Sequence, residues 1–166
     1  RRVLFRSPFF DLVGPEDWPA LKAHGVYSSM CNGAELGLTK GFAAREFHDQ
    51  LVERYTRHID LVADAGHRNL ICFSGNRKGM SNEEGLENSA AGLKRVLGLA
   101  EKKKVTLCME LLNSKVNHKD YMCDHTAWGV KLAKKVGSPS FKLLYDIYHM
   151  QIMEGDVIRT IQDNKD

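Results

Sequence analysis

Short apolar runs alternate with longer stretches of helical periodicity along this chain. Phe9-Phe10-Asp11-Leu12-Val13 forms a strand candidate stopped by Gly14-Pro15, and a helix is expected from about Glu16 to His24, with Pro15 at its start and Gly25 as its stop. Val26 to Met30 reads as a second strand. The following stretch, Cys31 to Gly41, carries three glycines and reads as a loop. Phe47, Leu51, Tyr55, Ile59 and Val62 then recur at steps of four and three, which predicts a helix over about Ala43–Ala65 with one face on a core. Asn69 to Phe73 is a third strand, followed by the polar loop Ser74–Gly79. Ser81 with Glu84 three residues on is a capping box, and the helix it opens lines up Leu86, Ala90, Leu93, Leu97 and Ala100.

The next strand, Val105-Thr106-Leu107-Cys108-Met109-Glu110, is apolar until its last residue. A strand buried on both faces is what a parallel sheet requires, and a carboxylate there is costly unless it is paired or holds a metal. After a polar loop from Ser114 to Cys123, Asp124 is the expected N-cap of a helix through Trp128, Leu132 and Val136, stopped by Gly137 and Pro139. Phe141-Lys142-Leu143-Leu144-Tyr145-Asp146 repeats the strand-then-carboxylate arrangement. A last helix is expected from about Asp156. Strand and helix thus alternate five times, an α/β fold with a parallel sheet. The absence of a Gly-x-Gly-x-x-Gly turn after any strand counts against a dinucleotide-binding sheet. Carboxylates ending different strands favour a (β/α) barrel, whose catalytic groups sit at the carboxyl ends of its strands. A whole barrel needs about 250 residues, so 166 residues would hold part of one.

Composition changes this picture little. Hydrophobic residues make up 43% and charged residues 27%, which argues against disorder, and one domain accommodates the length. A net charge of +3 does not imply nucleic acid, and Lys102, Lys103 and Lys104 read as a solvated helix face. No apolar run approaches the roughly 18 residues of a membrane span, and no signal peptide is visible, so a cytoplasmic location is the default expectation. Cys31, Cys72, Cys108 and Cys123 form no Cys-x-x-Cys pair, and buried free thiols are expected. Residues 1–7 lack an initiating Met and look like translated adapter sequence, so 8–166 is taken as the domain.

Cys108-Met109-Glu110-Leu111-Leu112-Asn113-Ser114-Lys115 and Leu144-Tyr145-Asp146-Ile147-Tyr148-His149-Met150 resemble hydroxypyruvate isomerase-like members of the xylose-isomerase-like TIM-barrel superfamily of sugar isomerases and epimerases. Gly14-Pro15-Glu16-Asp17-Trp18-Pro19 and Phe73-Ser74-Gly75-Asn76-Arg77 fit the same group, and the resemblance runs from about Phe9 to Asp166. It implies a partial (β/α)8 barrel holding strands 2 to 6, and one divalent metal ion, with Glu110 and Asp146 as two of its ligands. Hard oxygen ligands suit magnesium or manganese. Glu110 would also be one of two catalytic glutamates, and His149 would contact the substrate. Asn113, Ser74, Asn76 and Arg77 lie on the correct face to meet a polar substrate. The remaining ligands and the second glutamate would come from two later strands, so residues 1–166 by themselves are expected to be inactive.

The implied reaction is aldose–ketose isomerisation of hydroxypyruvate or a related small sugar or keto acid, with a carboxylate moving a proton between adjacent carbons through an enediolate. Epimerisation or another lyase-type reaction on the same barrel is the alternative. A relative that cleaves apurinic sites would want more histidine ligands and a basic groove, neither of which is evident. A non-catalytic, self-associating fragment with open sheet edges is the reading from a different class, and a homo-oligomer is compatible with each.

Overall fold

In a computed structural model, which describes residues 7–165, five strands form one parallel sheet in sequence order: β1 (Phe9–Val13), β2 (Tyr27–Cys31), β3 (Asn69–Cys72), β4 (Thr106–Glu110) and β5 (Phe141–Leu144). The adapter-like leader, apart from Ser7, lies outside the described residues. Helices connect the strands: α1 (Trp18–Ala23), α2 (His48–Asp64), α3 (Asn82–Lys103) and α4 (Thr126–Val136). Two more, α5 (Ile147–Met153) and α6 (Val157–Asn164), follow β5. Strands paired in chain order with a helix in each crossover are the staves of a (β/α) barrel, here an open arc of five.

The helices form where their apolar stripes meet the sheet. On α2, Leu51, Tyr55, Ile59 and Val62 are buried, and the Tyr55 hydroxyl donates to the Ile71 carbonyl of β3 at 2.9 Å. On α3, all five expected face residues are buried, and Ser81 Oγ accepts the Glu84 N–H at its first turn. One continuous core runs from Trp18 to Met153. All four cysteines are buried free thiols, and burial alone pushes Cys108 up to about 12. Among the described residues no helix is long and apolar enough to cross a membrane.

Four local expectations are corrected. The helix expected from Glu16 begins at Trp18, so the proline in its first turn is Pro19, not Pro15. The one expected over Ala43–Ala65 opens with a short 3₁₀ turn, Arg45–Phe47, before α2. Asp124 does not cap α4; His125 occupies that position without a side-chain bond. The capping is done from a distance by Glu154, whose carboxylate accepts the Thr126 N–H at 2.8 Å and the Thr126 hydroxyl at 2.6 Å. Asp124 instead pairs with Arg77 at 2.9 Å and accepts Ser114 Oγ at 2.6 Å. Finally, the chain after Asp146 turns directly into α5, a helix not anticipated before Asp156.

The arc leaves an edge at each end, because among the described residues β1 pairs only with β2 and β5 only with β4. On β1, Phe9, Phe10 and Leu12 are 55%, 60% and 49% exposed. Unpaired strand backbone flanked by apolar side chains is a template for another chain. Residues 1–166 expressed alone are therefore expected to elute as concentration-dependent oligomers. A monodisperse monomer with a cooperative melt would contradict this.

Candidate active site at the ends of β4 and β5

Parallel pairing of β4 with β5 brings Glu110 opposite Leu144, two residues before Asp146. Asp146 is the N-cap of α5. Its Oδ1 accepts the Tyr148 N–H at 2.8 Å and the His149 N–H at 3.3 Å, which leaves Oδ2 free to face the rim. One helical turn on, His149 lies beside it, with Nε2 3.9 Å from Asp146 Oδ2. One ligand atom each from Glu110, Asp146 and His149 falls within 4.8 Å of the others. Neither carboxylate has a lysine or arginine within ion-pair distance among the described residues.

The electrostatics follow from that crowding. Burial first, then the neighbouring Asp146, then Asp11, push the Glu110 carboxyl up to about 7. His149 is lowered chiefly by burial, with His118 adding to the effect and Asp146 opposing it. A carboxyl held near neutrality can both take and return a proton. Two close carboxylates without a cation are also a donor set of the kind a hard divalent ion neutralises.

The other candidate residues fall in different places. Asn113 is fully buried behind His149, its Nδ2 2.6 Å from His149 Nδ1. The Asn76 backbone bridges to Tyr121 and donates to the Thr39 carbonyl, and its side chain makes no hydrogen bond to Glu110, Asp146 or His149. Ser74 is fully buried and ties loops together, its Oγ accepting the Cys123 N–H at 3.0 Å. Arg77 is engaged by Asp124 and the Met122 carbonyl. The residue that sequence reasoning missed is Tyr121. It is fully buried, its hydroxyl donates to the Glu110 carbonyl at 3.0 Å and accepts the Ser74 N–H at 3.1 Å. The signal for it was the Tyr121-Met122-Cys123 run, an aromatic and two apolar residues closing a mostly polar loop.

A partial (β/α) barrel with an acidic strand-end cluster defines the class of the protein. The family model for the xylose isomerase-like TIM barrel matches residues 18–166, and the chain belongs to that family. Hydroxypyruvate isomerase from Escherichia coli is 30% identical over 122 residues, covering 70% of this chain and 43% of that protein. A putative hydroxypyruvate isomerase from Mus musculus is 28% identical over 71 residues, 43% of this chain and 26% of the mouse protein. The chain thus spans less than half the length of these relatives. Among solved structures, AP endonuclease, family 2, from Brucella melitensis superposes with a TM-score of 0.83 at 21% identity, covering 94% of this chain and 64% of that one. D-psicose 3-epimerase with D-tagatose from Clostridium cellulolyticum H10 superposes at 0.72 with 17% identity, over 95% and 60%. At those identities the superpositions establish the fold alone, a partial TIM barrel.

Proposed function

We propose that this chain carries part of the active site of a metal-dependent aldose–ketose isomerase that acts on hydroxypyruvate or a related small sugar or keto acid. The observation that carries the reading is the convergence of Glu110, Asp146 and His149 at one rim of the sheet. Glu110 and Asp146 would hold one divalent ion, magnesium or manganese by their hard oxygens. When bound, such an ion supplies Lewis-acid polarisation of the substrate carbonyl. Glu110 takes the proton from the carbon beside that carbonyl and His149 hydrogen-bonds a substrate oxygen. The second acid and the remaining ligands are what the family resemblance assigns to later strands. The hydroxypyruvate isomerases among the relatives support the substrate class, and the 3-epimerase neighbours support proton transfer beside a carbonyl in general.

Manganese titration of the complete protein by calorimetry tests the ligand assignment. Asp146→Ala is expected to weaken binding by about a hundredfold, roughly 2.7 kcal/mol, since it removes a charged ligand from a small set. Unchanged affinity in both Asp146→Ala and Glu110→Ala would sink the assignment. Stoichiometry separates the readings further: one ion fits the isomerase, whereas a cluster of zinc ions would point to the nuclease relative. Product analysis by proton NMR, starting from hydroxypyruvate or a ketose, then distinguishes isomerisation from epimerisation.

A further inference from the structure

We propose that Asn113 fixes His149 as the neutral tautomer protonated on Nε2, so that His149 offers an N–H to a substrate oxygen and not a lone pair to a metal ion. Both polar atoms of the Asn113 amide are fully partnered. Asn113 Oδ1 accepts the Val116 N–H at 3.2 Å and the Asn117 N–H at 2.9 Å. Backbone N–H groups only donate, so the oxygen of the amide must face them and the amide cannot be flipped. Its NH₂ then points the other way. One hydrogen goes to Asn117 Oδ1 at 2.9 Å and the other to His149 Nδ1 at 2.6 Å. The Asn113 NH₂ can only donate, which makes Asn117 Oδ1 the acceptor, and that oxygen also accepts the Tyr148 hydroxyl at 2.9 Å. An imidazole nitrogen that accepts carries no proton, so in neutral His149 the proton resides on Nε2.

The consequence divides the three-residue cluster. Nε2 sits 3.9 Å from Asp146 Oδ2, beyond hydrogen-bond length, so its N–H remains available at the rim. A protonated nitrogen has no lone pair for a cation, which leaves the oxygens of Glu110 and Asp146 as ligands. A neutral N–H donor suits a carbonyl oxygen that gains negative charge as the neighbouring proton leaves. Rings pack His149 in place: His118 and Tyr148 meet it edge-on, with centroids 5.2 and 5.0 Å away. Asn113 is therefore a positioning residue, fully buried, that acts on substrate only through His149. Its role in turnover rests on the isomerase reading above, whereas the tautomer does not.

The tautomer is read directly by long-range proton–nitrogen NMR of the full-length, nitrogen-15-labelled protein, without metal or substrate, at a pH where His149 is neutral; loss of its signals in His149→Gln assigns them. The expected spectrum has a protonated Nε2 and an unprotonated Nδ1. Asn113→Asp keeps the shape and the two backbone bonds but replaces the donor with an acceptor, so the proton is expected to move to Nδ1. In turnover the same variant is expected to lose about tenfold or more in kcat/KM. A wild-type His149 protonated on Nδ1 overturns the proposal without any variant, even if Asn113→Asp fails to fold. A folded Asn113→Asp that keeps the wild-type pattern overturns it as well. Should the pattern switch as expected in Asn113→Asp while the wild-type protein isomerises nothing, the tautomer stands and the isomerase reading falls.

Discussion

Glu110→Gln in the complete protein is expected to lower isomerisation by about a thousandfold or more and, at pH 8 without metal, to raise the melting temperature. The two effects share one cause. Glu110 lies on a buried strand beside Asp146, which pushes its carboxyl up to about 7 from an ordinary 4.5. Below about pH 4.5 the group is protonated in both folded and unfolded chains and costs nothing. Between about 4.5 and 7 the folded chain holds a proton that the unfolded chain has released, so stability falls as pH rises, and above about 7 the loss is complete. A shift of that size corresponds to at most about 3 kcal/mol, and screening at a partly exposed side chain reduces it to about 1–2. Glutamine removes the charge with the shape kept, so the variant is expected to gain about 3–6 °C at pH 8 and nothing at pH 4. With Glu110 a ligand as proposed, manganese should reverse the order, because the variant loses a carboxylate donor and binding stabilises the folded state. On the proposed isomerase reading, activity would be lost because an amide cannot take the proton and is a weaker ligand. Retention of more than roughly a tenth of the rate, about 1.4 kcal/mol of barrier, together with identical melting curves at pH 8, would make Glu110 a bystander.

The parts of this site that were legible in the sequence are those fixed by local pattern. Leu107-Cys108-Met109 before Glu110 announces a buried strand and Leu143-Leu144 before Asp146 a half-buried one, and the parallel register that pairs Glu110 with Leu144 brings the two carboxylates to one rim. The capping box at Ser81 and the stripe on α3 were legible for the same reason: both depend on residues within a few positions of one another. What escaped depends on partners far along the chain. Helix α5 is seven residues, too short for periodicity to declare, and Ile147-Tyr148-His149 continues the apolar look of the strand before it. The cap of α4 comes from Glu154, 28 residues away, while the nearby Asp124 is taken by Arg77 from 47 residues away. Asn113 reads as a polar residue facing a substrate; only the fold reveals that all its hydrogen-bonding capacity is spent behind His149.

Gly41 makes the same point about the scaffold that holds the site. In the sequence it is the third glycine of a flexible-looking loop. In the structure that loop crosses the one after β3 at backbone contact, with Phe42 N–H donating to the Phe73 carbonyl and Ala43 N–H to the Ser74 carbonyl. A Cβ on Gly41 would lie 2.3 Å from Gly75 N, Phe73 O and Ser74 C. All three are backbone atoms, which cannot rotate away, so the crossing must open. Gly75, at φ +80 and with its own Cβ position 2.4 Å from Gly41 N, prevents relief from the other side. Gly41→Ala is therefore expected to destabilise by about 3 kcal/mol or more, a fall of roughly 6–12 °C in melting temperature for a chain of this size. The damage should reach the site, because the displaced Ser74 N–H is the group that Tyr121 accepts while donating to the Glu110 carbonyl. Gly37→Ala in the same loop is the control for the crossing: its φ of +83 costs backbone strain, but no atom lies within 4 Å of the added Cβ. It is expected to lose about 1–2 kcal/mol, clearly less than Gly41→Ala. Equal losses in the two variants would show that loop flexibility, and not the backbone crossing, is what the glycines provide.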